Sequence, residues 1–216
     1  MNNAANTTIF ATEYDRSACQ IGVVHLGFGA FHRAHQAVYI DDYMACCNDL
    51  RWGIAAVNLR GTETTHFDAA VADIKAHDGY HLKSISSDGE VALRRVRPHV
   101  HFEDWSVAPA QAEALLSKAS VHLVTITVTE SGYYTDPNGD LSLSDPTISA
   151  ELSGGTPQSV YGYLRGGLTQ RTAETGAALT IACCDNIRQN GKMLRRNLLA
   201  YLVACGDLIL ADWVEN

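Results

Sequence analysis

Apolar residues along this chain fall into two alternating patterns, short unbroken runs that suit buried strands and longer stretches at three- and four-residue spacing that suit helices. Ile21 to Leu26 predicts a first strand, and Phe31 to Met44 a helix with Phe31, Ala34, Val38 and Tyr39 on its inward face. Trp52 to Val57 predicts a second strand, followed by a helix over Thr64 to Lys75 that Thr62 or Thr64 would cap. Tyr80 to Ser86 and Val91 to Arg97 alternate apolar and polar residues around Asp88-Gly89, a strong hairpin signal. Ala110 to Leu116 reads as helical, and Val121 to Val128 as an apolar, β-branched strand for the centre of a sheet. The segment SGYYTDPNGDLSLSDP is a turn-rich loop long enough to favour a functional role over a plain connection. Thr156-Pro157 predicts a helix start with Thr156 as N-cap. Leu179 to Cys183 reads as a strand and Asn190 to Val203 as a helix closed by Gly206. Strands alternating with helices define an α/β domain with a mostly parallel sheet, in which the hairpin is an antiparallel insert.

Composition narrows the class without changing that picture. A chain of 216 residues suits one large domain that buries roughly 70% of its unfolded surface. Residues 1–18 have neither a basic start nor an apolar core, so they read as a short mobile lead-in rather than a secretory signal, leaving 19–216 as the domain. No apolar run approaches the roughly 20 residues of a membrane span. A net charge of −8 argues against nucleic acid, whose phosphates select basic surfaces. The six cysteines, at 19, 46, 47, 183, 184 and 205, include no Cys-x-x-Cys and fit neither a disulfide framework nor a zinc cage. That usage points to buried thiols in a reducing cytoplasm.

The candidate chemistry begins where the first strand meets Gly27-Phe28-Gly29 and runs directly into a helix. Two such glycines let a backbone turn tightly and approach a pyrophosphate, and the helix N-terminus favours its charge. The third glycine of the usual fingerprint is replaced by His32, and a bare Gly-x-Gly also serves turns of purely structural purpose. His32 and His35, three apart, could share a helix face, but no further ligand is spaced to complete a metal site.

Three separated runs then carry a resemblance: HLGFGAFHRAHQA at 25 to 37, TVTESGYY at 127 to 134 and CDNIRQNG at 184 to 191. In this order they resemble the N-terminal half of the polyol-specific long-chain dehydrogenases, a family that includes mannitol 2-dehydrogenase, D-arabinitol 4-dehydrogenase and fructuronate reductase. The resemblance implies a Rossmann-like, doubly wound domain that binds a nicotinamide cofactor for metal-independent hydride transfer with an open-chain polyol or ketose. It also implies that the family's helical C-terminal domain, with its catalytic lysine, lies beyond these residues, so that the chain alone binds cofactor but scarcely turns over.

On that basis Gly27, Phe28, Gly29, Ala30, Phe31 and His32 are expected at the cofactor turn, with the backbone making the contacts. Asn58 stands where an acid would hold the adenine ribose; its amide can bond the hydroxyl, while nearby Arg60 can tolerate a 2′-phosphate. NAD is therefore expected and NADP stays open. Glu63 reads either as a further contact in this region or as a helix-start acid. The family pattern assigns Asn186 to oxyanion stabilisation and Glu130 to the nicotinamide pocket or a proton relay. Asp185 is expected to be structural. Ser131, Ser159 and the cysteine pairs lack the context of nucleophiles. A non-catalytic nucleotide-sensing module and a methyltransferase are the competing classes, and fructuronate or mannonate is a competing substrate.

Overall fold

The computed structural model describes residues 9–216. Five parallel strands form the main sheet in the order β6-β3-β2-β7-β8: β2 (Ile21–Leu26), β3 (Gly53–Asn58), β6 (His99–Asp104), β7 (Leu123–Ile126) and β8 (Thr180–Cys183). In chain order this is the 3-2-1-4-5 arrangement of a dinucleotide-binding sheet, reversing direction between β2 and β7. Every residue of β3 is buried, because helices cover both faces.

Against one face lie α1 (Ala30–Ala34), α2 (Gln36–Cys47) and α3 (Thr64–His77), around Val23, Ile54, Ala37 and Ile74. Against the other lie α4 (Pro109–Glu113), α5 (Pro146–Leu152), α6 (Val160–Glu174), α7 (Asn190–Ala204) and α8 (Leu208–Glu215), around Leu26, Val57, Val124, Tyr161 and Leu198. Strand residues alternate between these two cores, so a one-residue slip would exchange them.

The antiparallel insert is present: β4 (Tyr80–Ile85) pairs with β5 (Val91–Val96) across a turn containing Gly89 at φ 86°. A third strand, β1 (Ile9–Ala11), runs parallel to β5. The lead-in expected over 1–18 is thus structured from residue 9 onward, and residues 1–8 lie outside the described part. Its anchor is the fully buried Asp41 of α2, which accepts from the Thr12 hydroxyl (3.0 Å), the Tyr14 hydroxyl (2.7 Å) and Arg94 (2.8 Å).

Other expectations need correction. The helix over 31–44 is broken at His35, and Phe31, Ala34 and Tyr39 face outward. The inward positions belong to His32, Ala37, Asp41 and Met44, because His32 and Asp41 find buried hydrogen-bond partners that an apolar count ignores. Neither Thr62 nor Thr64 caps α3, and Thr64 instead donates to Asp104 (2.7 Å). The N-cap of α6 is Ser159 and not Thr156. Buried Glu151 accepts from the Gln158 and Ser159 backbone amides (2.6 Å each), which moves the helix start three residues on. The expected loop after β7 contains a 3-10 turn (Glu130–Tyr133) and α5, whose N-cap Asp145 accepts from Thr147 and Ile148.

Candidate functional site

The crevice opens where the sheet reverses, at the carboxyl ends of β2 and β7, the position at which open α/β sheets assemble ligand sites. It is a cavity of about 380 Å³. Its walls come from the turn after β2 (Gly27, Phe28, Gly29), the end of β3 (Asn58 to Arg60), the first turns of α3 (Glu63, His66, Phe67), the segment after β7 (Thr127 to Thr129) and the start of α6 (Gln158, Val160).

The two glycines of the turn have different causes. Gly27 has φ +97°, and a Cβ there would stand 2.6 Å from the Thr127 carbonyl oxygen, so the fold itself demands glycine. Gly29 is the N-cap of α1 with φ −78° and ψ 171°, a conformation open to any residue. Apart from its neighbours along the chain, nothing among the described residues lies within 4 Å of where its Cβ would be. A side chain at Gly29 would occupy only the space outside the helix N-terminus, where a pyrophosphate would approach. Ala30 and Phe31 continue the turn and are exposed, Phe31 stacking on His35. Phe28 packs edge-on against Phe67, His99 and Phe102, with Arg33 5.3 Å above its ring.

His32 is expected to contact cofactor, but its ring is fully buried and turned away from the crevice. It stacks on His25 at 3.4 Å, and its two nitrogens meet Gln36 Oε1 and His99 Nε2, both at 2.8 Å. In the position usually given to a third glycine, the flat imidazole brings helix and strand together by stacking. His25, His32 and His99 form one buried cluster directly beneath the turn. Burial pushes all three below the ordinary imidazole range, His32 to about 4, with neighbouring histidines and Arg16 and Arg33 adding to the effect. His25 also bonds Thr127 Oγ1 (3.0 Å), which donates to the Gly27 carbonyl (3.2 Å). Thr127 therefore ties the glycine turn to β7. Sequence reasoning passed over it, although it opens the TVTESGYY run.

At the adenosine end Asn58 lines the cavity, with its amide nitrogen donating to Asp104 Oδ2 (2.8 Å) and to the Arg60 carbonyl (3.0 Å) and, among the described residues, its Oδ1 accepting only from the Arg60 amide (3.4 Å). Asp104 is saturated, by Asn58 and Thr64 on one oxygen and by the Ser106 amide and hydroxyl on the other. Those bonds hold its carboxyl below the ordinary carboxylate range despite partial burial. Arg60 reaches across the crevice to the Thr129 hydroxyl (3.3 Å). Arg33 and Arg60 give the lining two guanidinium groups against one acid, Glu63.

The other two motifs meet at the neighbouring strand ends. The Tyr133 hydroxyl donates to Asp185, which also accepts from the Ile187 amide (3.1 Å) and Asn190 Nδ2 (3.0 Å). Asp185 thus joins the loops after β7 and β8. Glu130 and Asn186 stand exposed on those loops, outside the cavity lining.

Comparison with known proteins agrees with this geometry. The family profile described as "Mannitol dehydrogenase Rossmann domain" matches residues 21–216. A mannitol 2-dehydrogenase of Pyrenophora tritici-repentis is 34% identical over 209 residues, covering 94% of this chain and 36% of the relative. A polyol:NADP oxidoreductase of Gluconobacter oxydans is 33% identical, covering 95% and 42%. A D-arabinitol 4-dehydrogenase of Ralstonia nicotianae is 33% identical, covering 89% and 41%. The crystal structure of Pseudomonas fluorescens mannitol 2-dehydrogenase in ternary complex with NAD and D-mannitol superposes with a TM-score of 0.86 at 30% identity, over 96% of this chain and 42% of that one. The chain therefore spans about two fifths of the length of these relatives. On the family match and the five-stranded switch-point sheet together, the chain belongs to the mannitol dehydrogenase family and forms its Rossmann domain.

Proposed function

We propose that this chain is the cofactor-binding part of a cytoplasmic polyol dehydrogenase that moves hydride between NAD(H) and a secondary alcohol/ketose pair of the mannitol or D-arabinitol type. The observation that carries the reading is Gly29, a glycine in an unstrained conformation with empty space before it, at a helix N-terminus on the sheet's switch point. Its lack of a side chain has no explanation inside the protein and a direct one in a dinucleotide backbone lying against it. The two guanidinium groups lining the crevice suit the pyrophosphate, and Phe28 and Thr127 hold the turn in place from behind.

Nicotinamide, when bound, supplies the hydride acceptor. Oxidation of the alcohol also releases the hydroxyl proton, and this reading gives it to a lysine in the part of the relatives that extends past these residues. Asn186 is assigned to the developing oxyanion, where one preorganised donor contributes about 3 kcal/mol. Glu130 is assigned to the nicotinamide end or to a proton relay from the lysine. What supports these assignments is that both residues lie on loops at the carboxyl ends of adjacent strands.

The test is calorimetric titration with NADH and with ATP. Saturable NADH binding that is lost in Gly29→Val, with the variant still folded, supports the reading. ATP binding in preference to NADH would replace it with nucleotide sensing.

A further inference from the structure

The adenosine end of the crevice carries an inference that rests on the dinucleotide reading above and goes further. Enzymes that prefer the unphosphorylated cofactor place a free carboxylate at the end of the second strand of the sheet, to accept from the ribose 2′-hydroxyl and repel a 2′-phosphate. Here that position is Asn58, a neutral residue whose amide is engaged inside the protein. The acid beside it, Asp104, has both oxygens occupied by four donors. Asn58 carries no charge to oppose an added phosphate, and the oxygens of Asp104 are already taken by internal donors, so the strand end offers no free carboxylate to read the hydroxyl.

Two residues on, Arg60 lines the same end of the cavity with its side chain exposed. Among the described residues it has no carboxylate partner, and its side chain is held by one hydrogen bond, to the neutral Thr129 hydroxyl at 3.3 Å. Gly132 leaves room for it there, since a Cβ at that position would come within 3.4 Å of the guanidinium. A neutral hydroxyl holds a guanidinium weakly compared with a phosphate dianion, which pairs with it through two parallel charge-assisted bonds. The planar group can also stack on adenine while its edge takes the anion. His66 lines the same wall from the first turn of α3. Glu63, the acid of the lining, is exposed at the N-terminus of that helix, where the dipole accounts for a carboxylate.

We infer that Arg60 decides between the two nicotinamide cofactors in this crevice, and that the chain takes the 2′-phosphorylated form at least as tightly as the plain one. One relative, 33% identical, carries NADP in its name as a polyol:NADP oxidoreductase, which supports the reading.

The experiment titrates the 216-residue chain and its Arg60→Ala and Arg60→Lys variants with NADPH, NADH, adenosine 2′,5′-bisphosphate and AMP. The last two probes isolate the adenosine end. Wild type should bind the bisphosphate more tightly than AMP and NADPH at least as tightly as NADH. Arg60→Ala should weaken NADPH and the bisphosphate by about tenfold or more while moving NADH and AMP by less than about threefold, and Arg60→Lys should fall between. NADH binding without NADPH binding, or an equal loss of both in Arg60→Ala, overturns the assignment of Arg60 and leaves the dinucleotide reading intact. Failure of all four ligands to bind wild type overturns the dinucleotide reading itself.

Discussion

The histidine cluster beneath the glycine turn makes the chain acid-sensitive well above the range where carboxylates titrate. His25, His32 and His99 are at most 1% exposed, and in the folded state each stays neutral below its ordinary value near 6.5, His32 down to about 4. The unfolded chain binds these protons as pH falls through about 6.5 and the folded chain does not, so stability is complete above that value and lost below it. Each group removes about 1.4 kcal/mol per pH unit once its unfolded form is protonated, and His32 alone removes about 3 kcal/mol by pH 4. His25 and His99, shifted in the same direction by burial, steepen the slope further. A loss of about 3 kcal/mol from His32 alone is a large part of the 5–15 kcal/mol typical of a domain, and it begins above the range where ordinary carboxylates titrate. Urea unfolding between pH 7.5 and 5 should therefore show the free energy level above about pH 7 and falling steeply below 6. His32→Gln should reduce that slope by about a third, since one of three proton sites is gone. A stability curve flat from pH 7 to 5 would refute the reasoning, because it would mean that none of the three rings stays neutral in the native state.

Three further outcomes follow from single residues. Gly27→Ala combines a left-handed backbone with a Cβ 2.6 Å from a carbonyl oxygen, and should cost about 2–4 kcal/mol by urea unfolding as well as NADH binding. Arg171 is 1% exposed and has no carboxylate partner among the described residues, its charge held instead by the carbonyls of Leu116, Val121, Ala177 and Ala178. Arg171→Met leaves those acceptors without donors and should cost about 3–5 kcal/mol, read as a lower urea midpoint. Glu151 accepts from two backbone amides, the Ser159 hydroxyl and the Tyr201 hydroxyl (2.7 Å), so Glu151→Gln turns one acceptor into a donor facing donors. A loss of about 2–3 kcal/mol is expected, and a melting temperature unchanged within error would contradict it.

The sequence carried the alternation of strands and helices, the hairpin at Asp88-Gly89 and the glycine turn, since each rests on local chemistry. Strand β6 escaped notice because His99, His101, Glu103 and Asp104 make it look like a polar loop; its histidine is buried only through contacts made by residues far away in the chain. Helix α5 was legible in principle, since Asp145-Pro146 is the same cap-then-proline signal that was read at Thr156-Pro157. The reading at Thr156 failed for the reverse reason, because Glu151 competes for the amides of residues 158 and 159. At the site, Gly27 and Gly29 look identical in sequence, and only the neighbouring Thr127 carbonyl separates them. Asn58 was correctly placed at the end of β3, but the direction of its amide depends on Asp104, 46 positions away.

The polar groups around the crevice divide by whether the protein itself satisfies them, and Gly29 tests that division most sharply. Asp104, Asp185 and Asn58 are accounted for by folding, since each is held by several internal hydrogen bonds. Gly29 is not, and the physics of helix starts runs against it. An N-cap in the extended region favours aspartate, whose carboxylate would accept from the free amides of the first turn and complement the helix dipole. Replacing glycine also removes conformational freedom from the unfolded chain, which adds about 0.4–1 kcal/mol of stability where the native backbone is unstrained. Gly29→Asp should accordingly raise stability by about 0.5–1 kcal/mol, seen as a higher urea midpoint at unchanged slope. The same carboxylate would sit where the pyrophosphate must lie, and NADH affinity should fall by about a hundredfold or more. Opposite signs on the two axes are what a residue kept for a ligand produces; a variant that lost stability, or that bound NADH normally, would show Gly29 to be an ordinary turn residue.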